Sequence, residues 1–387
     1  MASGSLDAVP VRVSIFAPAR ERCGISDYSR NLLSALQEIS SVDMIRCVEP
    51  PPSEARLSFA GELSRRGSRA EQYRRIGDEL SESPSQLIHI QHEYSLLGGV
   101  APHRNQAAAL YASVTLPMVV TVHEIVDEGG GSVRTAAIRR VNKVNFLNHG
   151  IRKWIVHTSA DKERLAAIGA KPEAIHVVPV GVPNMPVSVG RENARARLGL
   201  SERRVVTLFG FLSAKKGHMK AIEAISQMPE DVVLLLAGDK HPDDHTDYVA
   251  RLKNEIEVRD MSYRVRITGY LSMEELQCVL AATDVAVAPF HQSSGSASVA
   301  MLLAADLPLV ASSIPVFADM NAQGAGPLVL AGIDCSPENL ACELLRVLSS
   351  TELREDLRIA RARYVAAHTY SKMAEATVNV YKAALQG

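Results

Sequence analysis

The sequence predicts an α/β protein made of two doubly wound domains, each with a parallel sheet. The chain has 387 residues, which exceeds one ordinary core and suits two domains of roughly 150 to 200 residues each. Short runs rich in valine and isoleucine alternate with helix-patterned segments along its whole length, as in a parallel sheet with crossover helices. The segment VGVPNMPVSVGRENARARLGL interrupts this alternation with several prolines and glycines, and we expect it to contain the linker.

The first half of the chain contains six candidate strands. The segment SDYSRNLLSALQEI, which follows the first of them, has the pattern of a helix, and Ser26 is expected to cap it. A polar, arginine-rich stretch separates the second strand from the third. The predicted strands lie at 11–17, 43–49, 87–91, 117–123, 153–158 and 175–180.

The second half restarts the alternation of strands and helices. Helix-patterned segments separate its strands, and the part of the chain after residue 335 is almost entirely helical in pattern. Ligands are expected in a cleft that the C-terminal ends of the strands of both domains face. The predicted strands lie at 204–212, 231–238, 263–271, 284–290, 307–312 and 326–331.

Composition argues against several classes of protein. Lysine and arginine number 42 against 43 acidic residues, so the net charge of -1 gives no general attraction to nucleic acid. No run approaches the roughly 20 apolar residues of a membrane span, and a cytoplasmic protein is expected. Peripheral contact with an anionic membrane stays open, because arginines cluster near residue 70; a solvated helix face is the alternative. The clustered arginines are Arg65, Arg66, Arg69, Arg74 and Arg75.

The five cysteines are scattered along the chain and predict reduced thiols rather than disulfides or a zinc site. They are Cys23, Cys47, Cys278, Cys335 and Cys342.

Three loops of the first half follow strand ends and carry polar residues. In APARERCGISDYSRNL, Gly24 permits a tight turn before a helix; an ordinary connection is the alternative. In IQHEYSLLGG, the consecutive His92, Glu93 and Tyr94 would be costly to bury unpaired, so they are expected to line a wet cleft. In VVTVHEIVDEGGG, His123 and Glu124 end the most apolar strand. A lone histidine there is often structural, but two strand-end histidines favour a site.

Two loops of the second half predict an anion site. In FGFLSAKKGHMKAI, a strand ends at Gly210 and Lys216 stands at the start of a helix, whereas Lys215 is expected to be surface charge. In SSGSASVAML, small residues join an apolar strand to a helix and leave backbone N–H groups accessible. A diphosphate between Lys216 and this loop would meet a charge and backbone donors. The alternative is a serine-rich helix cap that binds nothing. The loop residues are Ser294, Gly295, Ser296, Ala297 and Ser298.

These motifs, in this order, resemble the GT-B glycosyltransferases, and specifically the large retaining family four, over essentially the whole chain. The matching pieces are CGISDYSRNLLSAL, IQHEYSLLGG, VVTVHE, HTSADKERL, VVPVGVP, FGFLSAKKG, VLLLAGD, ITGYLSMEELQCVLAATDVAVAPF and the APF, SSGSAS and LLAADLPLVAS block. The resemblance implies two Rossmann-like domains that face each other across a cleft. Residues 1–185 with a returning helix at 370–387 would hold the acceptor, and residues 186–369 would hold a UDP- or GDP-sugar.

The resemblance also assigns roles to single residues. Lys216 and Gly24 match residues that bind the donor diphosphate, together with the serine loop, and Phe211 lies in the same region. His123 matches a histidine that faces the donor sugar, and it is the second expected catalytic residue beside Lys216. Further residues are expected to contact base or ribose, namely Gly238, Tyr270, Leu271 and Met301. Acceptor or sugar contacts are expected from His92, Glu93, Tyr94 and Glu124.

The chain departs from the family pattern at four places. Phe211 stands where an arginine is usual, and Asp306 stands where glycine is common. Ser294 and either Met301 or Leu302 stand where two glutamates usually contact the sugar and the ribose. These changes leave the identity of the donor open. The missing arginine removes one expected phosphate contact. The missing glutamates leave the expected diphosphate site unaffected, because it depends on backbone N–H groups, small side chains and serine hydroxyls.

The implied reaction is a retaining hexosyl transfer to a hydroxyl group of a glycan, a lipid-linked or a small-molecule acceptor. The leaving diphosphate would take the acceptor proton, so neither a protein nucleophile, a cofactor nor a metal is expected. The segment HPDDHTD (241–247) is the nearest approach to a cation site and is interpreted as a solvated loop. Two alternatives remain. One is a non-catalytic binding or scaffold subunit that lost the two glutamates, and the other is a nucleotide-sugar epimerase.

Overall fold

The structure is a computed structural model, and it describes residues 10–18, 24–51, 59–126, 132–148, 150–241, 246–324 and 326–386. The chain divides into two compact units. Unit 1 comprises Met1–Val180 together with Tyr370–Gly387, and unit 2 comprises Gly181–Thr369. Each unit contains a six-stranded sheet in which all neighbouring strands are parallel.

The twelve strands coincide with the twelve apolar runs of the sequence, and the predicted α/β class with two Rossmann-like domains is confirmed. In unit 1 the spatial order is β2-β1-β3-β4-β5-β6, and in unit 2 it is β12-β11-β10-β7-β8-β9. The strands are β1 (Val11–Phe16), β2 (Val42–Val48), β3 (Leu87–His92), β4 (Met118–Val122), β5 (Ile151–Val156), β6 (Ile175–Val177), β7 (Arg204–Phe209), β8 (Val232–Ala237), β9 (Val265–Ile267), β10 (Val285–Ala288), β11 (Leu309–Ala311) and β12 (Val329–Leu330).

Fourteen helices lie among the described residues and surround the two sheets. They are α1 (Gly24–Gln37), α2 (Phe59–Ser81), α3 (Ala107–Ser113), α4 (Val133–Phe146), α5 (Ser159–Ile168), α6 (Arg191–Leu198), α7 (His218–Ser226), α8 (Tyr248–Val258), α9 (Met273–Ala282), α10 (Ala297–Ala304), α11 (Pro315–Gly324), α12 (Pro337–Ser349), α13 (Thr351–Ala367) and α14 (Tyr370–Gln386).

Two local predictions about these elements are wrong. The helix after β1 begins at Gly24, so Ser26 is its third residue and is buried instead of capping it. The strand predicted at 263–271 is only three residues long, because the chain turns through Gly269, whose φ is 75°. Residues 268–271 of that segment are therefore a loop at the C-terminal end of β9.

Unit 1 has two apolar layers, one on each face of its sheet. On β3, Ile88 and Ile90 belong to the layer formed with α2, α3 and α4, while Leu87 belongs to the layer formed with α1 and α14. Successive side chains of a strand point to opposite faces, so this alternation also places His89 and Gln91 beneath α1 and α14. The C-terminal helix α14 packs against α1 and thus completes unit 1, as predicted.

The arginine-rich segment forms the long helix α2. Arg74 and Arg75 are exposed and both lie close to Glu71 of the same helix, with N–O distances of 3.5 Å. This pairing with an acidic neighbour favours a solvated face, and contact with a membrane stays a prediction. Among the described residues, the structure contains no helix with the length and apolar character of a membrane span.

Candidate functional site

Lys216 of unit 2 contacts the serine loop directly. It ends a short 3-10 turn, Ala214–Lys216, which lies between β7 and α7. Its Nζ donates to Ser298 Oγ at 3.1 Å and to Phe209 O at 3.4 Å, and it lies 5.2 Å from the centroid of the Phe290 ring. Burial lowers the pKa of Lys216 to about 8. The side chain is therefore an ammonium at neutral pH that has few polar partners of its own.

Two glycines make room for this ammonium. Gly210 follows β7 with a φ of 115°, and a Cβ at this position would lie 2.1 Å from Lys216 Nζ. Gly238 follows β8 with a φ of 154°, and a Cβ there would lie 2.2 Å from Gly210 O. Both positions combine an unusual backbone with a close approach that only glycine tolerates. The two glycines after β7 and β8 thus leave the space that the Lys216 side chain occupies.

The serine loop ends in the N-terminus of α10. Ser296 is the N-cap residue and accepts a hydrogen bond from Val299 N–H at 3.2 Å, while its hydroxyl lies 3.1 Å from Ser298 Oγ. Within the described part of the chain, no group accepts from the N–H groups of Ala297 and Ser298. These donors and the positive end of the helix dipole lie beside Lys216 and together can hold an anion. Ser296 therefore caps the helix and lies next to these donors.

The other residues expected to bind nucleotide lie at the same edge of the sheet. β10, β7, β8 and β9 are neighbours, so the loops after them converge where their parallel strands end. Tyr270 is 54% exposed after β9, and Leu271 beside it is half-buried. Met301 is half-buried in α10, four residues after Ala297.

Phe211 and its surroundings also belong to this edge. The Phe211 ring packs edge-on against His241, with 4.8 Å between the ring centroids. Of the segment 241–247, residues 242–245 lie outside the described residues, so the predicted solvated loop cannot be placed. Among the residues that the structure describes, no group of three or more His, Cys, Asp or Glu side chains could hold a metal ion.

In unit 1, His123 follows β4 and belongs to a buried polar cluster. Its Nε2 lies 2.7 Å from Gln91 Oε1, and its ring contacts Tyr28 and His157 with centroid distances of 4.7 and 5.3 Å. Burial, and then the nearby His157, lower the pKa of His123 well below its ordinary value. His123 is therefore neutral at pH 7, and its partly exposed ring can form a hydrogen bond without carrying charge.

His157, which the sequence analysis missed, is a second neutral imidazole. Its Nδ1 donates to Val178 O at 2.9 Å, and burial lowers its pKa to about 4. Nε2 of His157 has no hydrogen-bond partner among the described residues. Gln91 was missed as well, although its position two residues after His89 on a buried strand was a usable signal, since both must face the same layer.

The prediction that His92 and Tyr94 line a wet cleft is wrong. Both are buried, with exposed fractions of 0% and 4%. His92 Nδ1 lies 2.5 Å from Tyr111 OH, and Tyr94 OH donates to Asn142 Oδ1 at 2.5 Å. Each side chain thus has a polar partner inside the apolar layer under α3 and α4. Neither is available to an acceptor in this structure.

The structure does not test the roles predicted for Glu93 and Glu124 in acceptor or sugar contact and for Gly24 in diphosphate binding, and these stay predictions. Glu93 and Glu124 are half-buried at the ends of β3 and β4. Gly24 is the first residue of α1, and a Cβ at this position would meet open space. The loop at 19–23 and the glycine run at 129–131 lie outside the described residues.

Comparison with known proteins shows that unit 2 is similar to one family. Residues 190–363 match the family model described as glycosyl transferases group 1. The D-inositol 3-phosphate glycosyltransferase of Kineococcus radiotolerans is 26% identical over 253 residues, which are 60% of this chain and 58% of that protein. The MMP alpha-(1->4)-mannosyltransferase of Mycolicibacterium hassiacum is 26% identical over 71% of this chain and 67% of its own length. The chain thus spans about three fifths to two thirds of these relatives.

Solved structures share the fold over nearly the whole chain. Anabaena Alr3699/HepE, solved in complex with UDP and glucose, matches with a TM-score of 0.70 and 16% identity, covering 96% of this chain and 99% of that one. Sucrose-phosphate synthase from Thermosynechococcus elongatus matches with a TM-score of 0.73 and 17% identity, covering 96% and 98%. At these identities the likeness establishes the fold.

Proposed function

We propose that the chain is a retaining glycosyltransferase of family four, which transfers a hexosyl group from a nucleotide-diphosphate sugar to a hydroxyl acceptor. The match of residues 190–363 to the glycosyl transferases of group 1 and the GT-B fold support this proposal. The anomeric configuration of the sugar is retained. Unit 2 binds the donor, and His123 keeps the sugar-facing role expected of it from the sequence. The product is a glycan, a glycolipid or a glycosylated small molecule.

The contact between Lys216 and Ser298 supports this proposal more than any other observation. It brings an ammonium within 3.1 Å of the loop whose Ala297 and Ser298 N–H groups have no described acceptor. A diphosphate bound there meets a point charge and backbone donors at once. As the glycosidic bond breaks, negative charge grows on the leaving diphosphate, and fixed donors stabilise it. This electrostatic role needs no metal ion, because Lys216 and the helix end supply the positive charge.

His123 orients the sugar in this proposal and does not attack it. The imidazole is neutral at pH 7, since burial lowers its pKa, and it is held by Gln91 at 2.7 Å. The acceptor hydroxyl attacks the anomeric carbon from the face on which the diphosphate leaves. Its proton passes to a diphosphate oxygen, so the protein supplies neither a nucleophile nor a general base.

UDP and UDP-glucose are the first ligands to examine, because the Anabaena protein was solved with both. A purified sample titrated with UDP should bind it, and Lys216→Ala should weaken binding about a hundredfold, because removal of one partner of a buried, hydrogen-bonded charge pair costs about 2–5 kcal/mol in binding. Isothermal titration calorimetry measures both affinities, and GDP serves as the competing nucleotide. Equal affinity of Lys216→Ala and the parent protein would contradict the proposed site.

Lys215→Ala is the matched control for this experiment. Lys215 is the preceding lysine of the same turn but is exposed, and its backbone oxygen accepts from His291 N–H at 2.8 Å. The substitution keeps that backbone bond, so we expect UDP affinity within twofold of the parent protein. A loss as large as that of Lys216→Ala would indicate general charge attraction instead of a defined site.

A scaffold function without turnover is favoured by one observation. Ser294 and Met301 stand where the family usually carries glutamates, and the first is buried while the second is half-buried. Turnover separates the two functions. Release of UDP from UDP-glucose in the presence of hydroxyl acceptors supports a transferase. Tight binding with no release over a broad set of donors and acceptors supports the scaffold.

A further inference from the structure

A chain of hydrogen bonds runs from His123 into the interior of unit 1. His123 Nε2 lies 2.7 Å from Gln91 Oε1, and Gln91 Nε2 lies 3.3 Å from His89 Nε2. His89 Nδ1 then lies 2.7 Å from Tyr381 OH on α14. Thr121 Oγ1 is a further neighbour, 2.8 Å from His89 Nε2. Apart from His123 these side chains are fully buried, so the bonds form away from water.

The register of the sheet explains why these residues meet. β3 and β4 are parallel neighbours in which His89 pairs with Val119 and Gln91 with Thr121. Paired residues of neighbouring strands point to the same face, which here lies beneath α1 and α14. His123 follows two residues after Thr121 and continues this face past the end of β4. Most of the layer is apolar, so the polar groups of this chain of hydrogen bonds depend largely on one another for partners.

The donor and acceptor in each bond follow from the chemistry of the groups. The amide nitrogen of Gln91 only donates, so His89 Nε2 accepts. Burial lowers the pKa of His89 to about 3, so this ring is neutral and its single N–H is at Nδ1, where it donates to Tyr381 OH. The amide oxygen of Gln91 only accepts, so His123 Nε2 carries a hydrogen. If the amide of Gln91 were turned round, its nitrogen would lie 2.7 Å from His123 Nε2. This distance is at the short limit even for a hydrogen bond from N–H to oxygen, so the orientation with the amide oxygen toward His123 is the better one.

The groups around His123 keep it uncharged. Tyr28 of α1 and His157 after β5 contact its ring, His89 and His92 of β3 lie near it on the two faces of the sheet, and Glu124 follows it in the chain. Burial is the main cause that opposes a second proton on the ring, and the neighbouring His157 adds to it. A neutral imidazole with a hydrogen on Nε2 has a bare lone pair on Nδ1.

We propose that Gln91 is a positioning residue that fixes His123 as the Nε2–H tautomer and thereby makes Nδ1 a hydrogen-bond acceptor for a hydroxyl group of the substrate. In its second half this inference rests on the proposed function, in which the substrate is a sugar. His123 then selects donors that carry a hydroxyl at the position it faces. A donor that lacks this hydroxyl cannot form the bond to Nδ1 and is discriminated against.

Nuclear magnetic resonance tests the tautomer without any assumption about activity. In protein labelled with nitrogen-15 in histidine, long-range correlations between ring protons and ring nitrogens distinguish the two neutral tautomers from imidazolium. The signals of His123 are assigned by their loss in His123→Asn. At pH 7 we expect the neutral Nε2–H pattern. The Nδ1–H pattern, or imidazolium, in the parent protein would overturn the inference whatever the variants show.

Two substitutions of Gln91 test its role. Gln91→Leu removes the acceptor, and we expect the His123 signals to shift to a mixture of tautomers. Gln91→Glu keeps the shape and places a carboxylate beside Nε2, which favours the imidazolium and should make kcat/KM fall on the acid side of neutral pH, where the charge on Lys216 does not change and the parent protein shows no such fall. An unchanged His123 spectrum in folded Gln91→Leu would show that Gln91 does not set the tautomer.

Tyr381→Phe removes the far end of the chain, and Tyr111→Phe is its matched control. Tyr111 is also a buried phenol bonded to a histidine of β3, at 2.5 Å from His92 Nδ1, but on the opposite face of the sheet. We expect Tyr381→Phe to shift the signals of His89 and His123, and Tyr111→Phe to shift only those of His92. Equal effects on His123 would indicate a general loss of packing and contradict the inference.

The activity measurement separates this inference from the proposed function. With a transferable donor found, Gln91→Leu should lower kcat/KM roughly three- to tenfold, as expected for one neutral hydrogen bond, and the effect should vanish with a deoxy donor that cannot use Nδ1. The expected tautomer in a protein that transfers no sugar would refute the function alone. The opposite tautomer in an active transferase would refute the inference alone.

Discussion

Lys216 is the residue on which the proposed donor site depends most. Its ammonium has only two oxygen partners among the described residues, Ser298 Oγ and Phe209 O, and burial lowers its pKa to about 8. The folded protein without ligand therefore holds this proton less tightly than an exposed lysine would. A bound diphosphate reverses the effect, because an adjacent negative charge favours the ammonium.

Binding of UDP should therefore depend on pH above 7. Below the pKa of about 8 the lysine is already charged and affinity is flat; above it, each unit of pH should weaken binding up to tenfold, because the proton must be taken up on binding. Calorimetry in buffers of different ionisation enthalpy measures this uptake directly. Lys216→Arg keeps its charge throughout and should remove the dependence. Equal proton uptake in both proteins would refute the assignment.

The turn between α10 and β11 contains Asp306, the residue that stands where the family commonly has glycine. Asp306 has a φ of 54° in this turn, a left-handed conformation that glycine adopts without strain and that aspartate tolerates. Its carboxylate and backbone oxygen accept three hydrogen bonds from Arg361 of α13, which is only 2% exposed. The aspartate thus replaces the common glycine and ties α13 to this turn.

Removal of this carboxylate should destabilise unit 2. Asp306→Gly relieves the backbone but leaves the buried Arg361 guanidinium without its charged partner, so we expect a loss of about 2 kcal/mol in the free energy of unfolding. This figure is reduced from the ~3–5 kcal/mol of a fully buried pair because the Asp306 side chain is 58% exposed. Asp260→Gly is the matched control, since Asp260 has a φ of 52° and is exposed. Urea denaturation should show little loss in the free energy of unfolding for Asp260→Gly. Equal losses in the two variants would contradict the role of the pair between Asp306 and Arg361.

The sequence predicted elements better than it predicted which side chains reach solvent. All twelve strands were found, because parallel strands buried on both faces are nearly continuous apolar runs, as in β8. The pairing of Lys216 with the serine loop was also predictable, since both follow strands that such a sheet brings together. The burial of His92 and the hydrogen bond between His123 and Gln91 could not be predicted from the sequence. They depend on the register of β3 against β4 and on the partners Tyr111 and Tyr381, which lie far away in the chain.

At the scale of the whole molecule, buried histidines are distributed unevenly between the two units. Burial lowers the pKa of His89 and His92 to about 3 and that of His157 to about 4, all in unit 1. Unit 2 has one such residue among those described, His218, whose pKa is lowered to about 3. These rings accept protons when the chain unfolds but not while it is folded, so each lowers stability in acid. Unit 1 contains more of these histidines, so its stability should depend more strongly on acid pH than that of unit 2.

We therefore expect unit 1 to lose stability before unit 2 as the pH falls. Between the ordinary histidine pKa of about 6.5 and the folded values near 3 to 4, the unfolded state binds more protons, so the free energy of unfolding decreases with falling pH. At pH 5 each such histidine removes about 2 kcal/mol. Hydrogen exchange of backbone amides between pH 7 and 5, corrected for the intrinsic exchange rate, measures the loss in each unit.

His92→Leu and His218→Leu assign this loss to particular rings. His92 is buried against Phe146 and Tyr94, with ring centroids 4.8 and 5.2 Å away, so leucine fits an apolar setting there. His92→Leu should reduce the pH dependence of unit 1 by about one proton and leave unit 2 unchanged, and His218→Leu should do the reverse. If both units lost stability equally between pH 7 and 5, or if neither variant changed the slope, the buried neutral histidines would not be the cause, and the neutral state assigned to the ring of His123 would lose its support as well.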